Sequence, residues 1–508
     1  MLLLAVFALH LPLLHLPYFW DEAGYYIPAV RDLMGGSLIP HSTPSNAHPP
    51  LVMAYVALWC KTFGYTPPIV RTAMVTVAAF TLLGLFRLAA EVASLEVAFA
   101  STLCTALYPV FFTQSSLAQV DLAAAGFTFW GLRSYLKDQR SCAVWFSLAV
   151  LSKETAILAP AALFAWEVLR PLLRKHLAID QEKPFSAFWL LVPSLPLGAW
   201  YAYHYAKTGF VLGNPEFFRY NVQTTLQPLR IVLALLLRLW QLFGYLNLYV
   251  LTALTALAIS FRPVRDGDVE RRAISIEAQF VFYVVVAAYG IFMAFVGGAV
   301  LARYLLPAVP LVIIVFVSTL RRRFRYWHWA IAFTVLAFLA GLFINPPYGF
   351  SLEDNLAYRD YIVLHQHAED FLEARYPMSR VLTAWPGSDE LTRPYLGYVT
   401  RPVQVVRLEN FTAEQLMSAA DARSRYDVAF VFSTKYQPRR SIFDGWQRWQ
   451  EWKARFFDYH RDLPPQAAAQ ILGGQVVYSE DRQGQWVGVI EIQRNYEAAL
   501  HPAYGLSK

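Results

Sequence analysis

Asp21 and Glu22 stand side by side in Trp20-Asp21-Glu22-Ala23-Gly24-Tyr25-Tyr26, just past an apolar run, and the same polar stretch closes on Ala47-His48-Pro49-Pro50-Leu51. Adjacent carboxylates followed by aromatics suit a base that activates an acceptor hydroxyl beside a sugar ring. A carboxylate at the mouth of a low-dielectric cavity is shifted toward the working range of such a base. The bland reading places both acids in the first turn of a juxtamembrane helix, where they complement its dipole.

Four further positions interrupt apolar surroundings. Asp121 lies in Gln119-Val120-Asp121-Leu122, at the entrance of an apolar segment. Ionisable groups in such places are costly and face a cavity or a partner; a helix-capping or first-turn acid is the alternative. Lys153 and Glu154 break another apolar run, either neutralising one another or offering the lysine to an anionic phosphate. Arg303-Tyr304 opens Ala302-Arg303-Tyr304-Leu305-Leu306-Pro307. An arginine there is either a site for an anionic partner or a side chain snorkelling to headgroups. His48 alone is a weak metal ligand, and its candidate partners His204, His365 and His367 cannot be placed from sequence.

The elements that must position these residues are membrane spans. The chain has 508 residues, 56% hydrophobic and only 16% charged, against about 25% charged in soluble domains. A soluble fold of this size would lack polar surface. A span needs about 20 apolar residues. The first, Met1 to about Pro17, lacks a basic leader and reads as an uncleaved span. Others lie near 66–88, 95–113, 117–136, 186–206, 240–261, 279–300, 304–320 and 326–344. The region 142–169 is apolar but broken at Ser152-Lys153-Glu154.

Charge sets the orientation. Lys137 and Arg140; Arg170, Arg174 and Lys175; Arg262, Arg265, Arg271 and Arg272; and Arg321, Arg322, Arg323 and Arg325 form four basic clusters. Placing all four on the cytoplasmic side requires 142–169 to be a re-entering pair of short, broken helices. The expectation is about eleven spans over residues 1–345, with loop 18–50 and the C-terminus outside. The net charge of +7 gathers in these loops and gives no reason to invoke nucleic acid. Cys60, Cys104 and Cys142 each sit in apolar stretches and read as inert thiols.

After Asn345-Pro346-Pro347 the chain becomes mixed and polar. Tyr426–Phe432 reads as a buried strand. Gln475–Tyr478 and Trp486–Ile492 read as a hairpin around Arg482-Gln483-Gly484. Helical patterns fall near 354–375 and 411–423. Residues 346–508 are therefore expected to be a small soluble α/β domain on the outer face. No nucleotide-binding loop, dinucleotide fingerprint or nucleophile elbow is present, so nucleotide-driven transport and hydrolase chemistry have no direct support.

Together these pieces resemble a family. The Asp-Glu of the first outer loop with downstream tyrosine, the Pro-Pro-Leu closing that loop, Asp121 heading a span and Arg303-Tyr304-Leu305-Leu306-Pro307 late in the bundle look like the GT-C membrane glycosyltransferases. The protein O-mannosyltransferases and lipid A aminoarabinose transferases are the similar branches. The likeness covers roughly residues 15–345. It implies an inverting transfer of a sugar from a polyprenyl-phosphate donor to an acceptor hydroxyl on a protein, lipid or glycan, on the outer face of a lipid bilayer. Asp21 would be the base and Glu22 its support, with Tyr25, His48, Asp121, Lys153, Glu154, Arg303 and Tyr304 around the substrates. The family branch points to a bacterial inner membrane with a periplasmic C-terminus.

There is a departure from the family pattern. Aminoarabinose transferases usually carry Glu-Lys-Pro-Pro where this chain has Ala47-His48-Pro49-Pro50. That removes an acid that binds metal in that branch and a lysine that meets phosphate; no cofactor is required, and a divalent metal has no support here. The competing classes are a transporter or flippase of lipid-linked sugars and a non-catalytic scaffold. Transporters often show paired broken helices in related halves, and this chain has one broken segment and no repeat.

Overall fold

Proline punctuates the helices of the N-terminal part. Pro67, Pro109, Pro228 and Pro310 each stand in the first turn of a helix, where the missing N–H costs nothing. Tyr108, before Pro109, is held extended (φ −60°, ψ 124°), as the proline ring demands of its neighbour. The apolar segment expected over 95–113 is thereby cut into helices Leu95–Leu107 and Pro109–Gln114.

The computed structural model describes residues 2–177, 187–438, 443 and 445–493. The chain divides into two units, Met1–Arg359 with Ile442–Tyr459, and Asp360–Ser441 with His460–Lys508. The sequence reading set that boundary at 345/346. The side chains of Arg174 and Lys175 and the C-terminal Lys508 lie outside the described residues.

The first unit is almost entirely helical. Helices Pro67–Val92 and Ile276–Phe295 and the stretch Pro228–Ile259 are long and apolar enough to cross a membrane. Five further apolar helices, Leu3–Leu13, Leu51–Phe63, Leu95–Leu107, Cys142–Ser152 and Trp327–Phe343, have 10–17 residues. Local breaks account for much of this shortening. Pro228–Ile259 bends where Leu246 (φ 46°) and Asn247 (φ 70°) turn left-handed, and the Asn247 amide donates to Ala337 O at 2.7 Å. The run 142–169 breaks where Lys153 becomes extended between helices Cys142–Ser152 and Leu158–Leu177. A short hairpin, β1 (Arg265–Asp266) and β2 (Val269–Glu270), lies among the third basic cluster. The three cysteines are free and buried.

Helices Pro67–Val92 and Asp121–Leu136 approach closely through Gly126, where an added Cβ would come within 2.4 Å of Thr81 Oγ1. A small residue is needed for that contact. It fixes the helix that begins at Asp121.

The second unit carries a five-stranded sheet of β3 (Arg380–Ala384), β4 (Gln404–Leu408), β5 (Val428–Phe432), β6 (Gly474–Arg482) and β7 (Gln485–Ile492). The order is β4-β3-β5-β7-β6, with β3 parallel to β4 and β5, and β7 antiparallel to β5 and β6. β5 is buried throughout, as its unbroken apolar run predicts, and the hairpin β6–β7 falls where the sequence places it. β3 and β4 were not anticipated.

Candidate active site

Asp21 follows Trp20, whose φ of 46° turns the chain sharply out of the first apolar segment. Glu22–Tyr26 then form a π-helical turn that leads into helix Ile27–Met34. The turn is anchored from inside. Glu22 is fully buried, accepts from the N–H groups of Phe19 (2.9 Å) and Ala118 (2.6 Å), and pairs with Arg71 at 3.2 Å. Arg71 also donates to Leu16 O, Pro17 O and Ser116 O. One buried ion pair thus binds the start of the 18–50 segment and the segment before Asp121 to helix Pro67–Val92.

Asp21 itself meets Arg303, which the 3₁₀ turn Ala302–Leu305 presents. Arg303 is 3% exposed, so it does not snorkel to headgroups. Its three guanidinium nitrogens face three acids: one Nη touches Asp21, the other lies 2.5 Å from Glu353 Oε2, and Nε lies 3.5 Å from Asp121 Oδ2. Gln119 accepts from Arg303 and donates to Glu353 at 2.9 Å.

Asp121 is the first residue of helix Asp121–Leu136, hence both a first-turn acid and an ion-pair partner. Its Oδ1 lies 2.5 Å from Lys153 Nζ, which the break in 142–169 delivers to the cluster. Lys153 stands 3.9 Å above the Tyr304 ring, with Arg303 at 5.6 Å and Arg238 at 5.8 Å from that ring. Lys153 and Glu154 turn to different partners, since Glu154 accepts from His48 Nδ1 at 2.8 Å.

His48 also stacks near Tyr26, with ring centroids 6.1 Å apart. Tyr25, Tyr26, His48, Pro50, Met53 and Trp200 line a cavity beside the segment 18–50. Trp200 Nε1 holds Ala47 O at 2.9 Å, and His204 bonds Ser45 Oγ at 2.9 Å. Burial pushes the Tyr26 phenol well up; Arg303 opposes the shift, while Asp21 and Asp121 add to it. Tyr26 therefore belongs electrostatically to both cavity and cluster. His365 and His367 belong to the second unit.

The cluster holds three acids, Asp21, Asp121 and Glu353, against two cations, Lys153 and Arg303. Asp21 is the open member, 22% exposed against 3% for Asp121 and 4% for Glu353. Sequence reading missed Arg71, Gln119 as a contact, and Glu353. Arg71 lies inside an apolar run and carried the signal of an ionisable group in a span. Glu353 follows the change of composition at 345 and looked like soluble-domain surface.

Residues 47–200 match the family model described as dolichyl-phosphate-mannose-protein mannosyltransferase. That range holds His48, Asp121, Lys153 and Glu154 but neither Asp21 nor Arg303. No curated protein matches the chain. ArnT from Cupriavidus metallidurans bound to undecaprenyl phosphate aligns at TM-score 0.50 and 14% identity, over 96% of this chain and 97% of that one. The apo form of the same protein gives 0.48 and 13%, over 96% of each. The archaeal oligosaccharyltransferase AglB from Archaeoglobus fulgidus, in complex with an inhibitory peptide and a dolichol-phosphate, gives 0.46 and 11%, over 96% of this chain and 73% of its own. In fold, and in sequence over residues 47–200, the chain resembles the GT-C membrane glycosyltransferases.

Proposed function

We propose that this protein is an inverting glycosyltransferase that moves a sugar from a polyprenyl-phosphate donor to an acceptor hydroxyl at the outer face of a membrane. The observation that carries the reading is the placement of Asp21: a partly exposed carboxylate gripped by a buried arginine and close enough to act electrostatically on Tyr26, which lines the aromatic cavity. The solved ArnT of the same fold holds undecaprenyl phosphate, a lipid of the class that the proposed reaction releases from its donor.

In the proposed reaction the acceptor oxygen attacks the anomeric carbon as Asp21 takes its proton. The bond from that carbon to the phosphate oxygen breaks, and its electron pair leaves with the polyprenyl phosphate. Fixed cations stabilise the leaving charge without reorganising. Arg303 and Lys153 are the candidates, and phosphate arriving at Arg303 would compete with Asp21 and free it. Asp121 and Glu353 hold the two cations in place. Glu22, through Arg71, fixes the turn that carries Asp21. Tyr25, Tyr26, His48 and Glu154 would shape the sugar or acceptor pocket, and Tyr304 spaces the cations. The accompanying topology has about eleven spans, loop 18–50 outside, and residues after about 350 in the periplasm of a bacterial inner membrane.

The test uses purified protein in lipid with radiolabelled polyprenyl-phosphate sugars and acceptor extracts, following released polyprenyl phosphate. Wild type should consume donor, and Asp21→Asn should lower the rate by roughly 10²–10⁴-fold. Wild type that binds these lipids yet leaves the sugar attached would move a lipid-linked-sugar transporter to the front.

A further inference from the structure

The second unit buries three metal-ligating side chains around one point. His365 and Glu369 stand four residues apart on helix Ala357–Arg375, so they share one helix face. Glu390 meets them from helix Gly387–Thr392. One ligand atom from each lies within 4.8 Å of the other two. His365 Nδ1 is 2.6 Å from Glu390 Oε2 and 3.9 Å from Glu369 Oε1, and all three side chains are 0% exposed.

The trio is short of partners. Both Glu369 oxygens, Glu390 Oε1 and His365 Nε2 have no hydrogen-bond partner among the described residues. Nor does any Lys or Arg pair with either acid among them. The surroundings are aromatic: the Tyr361 ring stacks on the imidazole at 3.9 Å, with Phe432 at 4.5 Å and Phe430 at 5.2 Å. A buried polar group left unpaired is costly. A group of this kind is maintained where something else completes it.

We infer that His365, Glu369 and Glu390 form a divalent-metal site in the C-terminal domain, with zinc the ion that suits the donors. One imidazole nitrogen and two carboxylate oxygens are the three-ligand set of an open tetrahedral zinc site. An all-oxygen shell of six or more ligands, as calcium prefers, is not offered. Donors about 2 Å from zinc lie roughly 3–4 Å from each other; Glu369 Oε1 already stands 3.9 Å from His365 Nδ1, and the 2.6 Å contact of His365 with Glu390 widens to admit the ion. A dication balances two carboxylates, and ligation by an imidazole nitrogen adds no charge of its own. The site takes no residue from the Asp21–Arg303 cluster and is independent of the proposed transfer.

The full-length protein, stripped by chelator in detergent, is titrated with cobalt(II) as a spectroscopic stand-in for zinc, then with zinc against a chromophoric chelator. Wild type should take up one ion with visible cobalt bands. Glu369→Gln and Glu390→Gln should each weaken binding by at least tenfold, and His48→Ala should leave it unchanged. Zinc should raise the wild-type melting temperature and leave that of the two Gln variants unmoved. Should the variants fail to fold, zinc-edge absorption of the loaded wild type decides: one imidazole and no sulfur supports the site, and any other count overturns it. No uptake by wild type, or equal uptake by Glu369→Gln, overturns it too.

Discussion

Asp21 and Arg303 are 282 residues apart in the chain and in direct contact in the fold. The contact is one arm of a three-way grip, in which Arg303 meets Asp21, Glu353 and Asp121 with a different nitrogen each. A planar guanidinium can hold three acids in this way, and a lysine ammonium on a flexible stem cannot reproduce it. Arg303→Lys is therefore expected to keep a positive charge and still lose at least tenfold in sugar transfer. Transfer rates of the two proteins in lipid check this; equal rates would show that charge alone matters at this position.

Removing the arginine altogether poses a different problem. Arg303→Ala leaves Glu353 and Asp121 buried beside Lys153 alone, and breaking a buried pair costs about 3–5 kcal/mol. Glu353→Gln in the same chain should recover part of that loss, because it removes the charge that the arginine balanced. A double-mutant cycle on thermal unfolding should give a coupling of about 1–3 kcal/mol. Additive losses would mean that the two side chains do not share one network.

Much of this arrangement was legible in the sequence, and the limit falls at identifiable places. Runs of apolar residues located the helices, and the polar triplet Ser152-Lys153-Glu154 located the break that brings Lys153 to Asp121. The apolar run Val428–Phe432 located the central strand, because a strand buried on both faces has no alternation to hide it. β3 and β4 escaped because each is five residues long and carries an arginine. Pairings were beyond reach wherever partners are distant in sequence. Nothing near Asp21 announces Arg303, and nothing near Glu22 announces Arg71. Length and charge also misled at Glu353, which composition assigns to soluble surface and the fold buries.

Asp354, beside Glu353, supplies a pH dependence. Burial first, and Glu353 second, push its carboxyl from an ordinary 3.8 up to about 8, while its Oδ2 accepts from the Tyr245 hydroxyl at 2.6 Å. The folded chain therefore keeps a proton that the unfolded chain releases above about pH 4. The stability it contributes is fully present below about 4 and falls as pH rises toward about 8, by at most about 1.4 kcal/mol per pH unit. Asp354→Asn should flatten the melting-temperature profile between pH 5 and 8, while keeping an acceptor for Tyr245. Parallel profiles for the two proteins would remove Asp354 as the source.

The last prediction separates two adjacent acids. Glu22 makes its contacts with Arg71 and two backbone amides, whereas Asp21 is the exposed member of its own cluster. Glu22→Gln should thus act mainly on stability, since it leaves Arg71 as a buried cation without its counter-charge, at a cost of about 3–5 kcal/mol. Replacing both, as Glu22→Gln with Arg71→Met, should cost less than the sum of the single changes, because neither charge is then stranded. Asp21→Asn should do the reverse, with little change in melting temperature and loss of turnover by the folded protein. The comparison is made at a temperature where every variant is folded, on the amount of folded protein. Full loss of turnover in a folded Glu22→Gln chain would place Glu22 among the reacting groups and not beneath them.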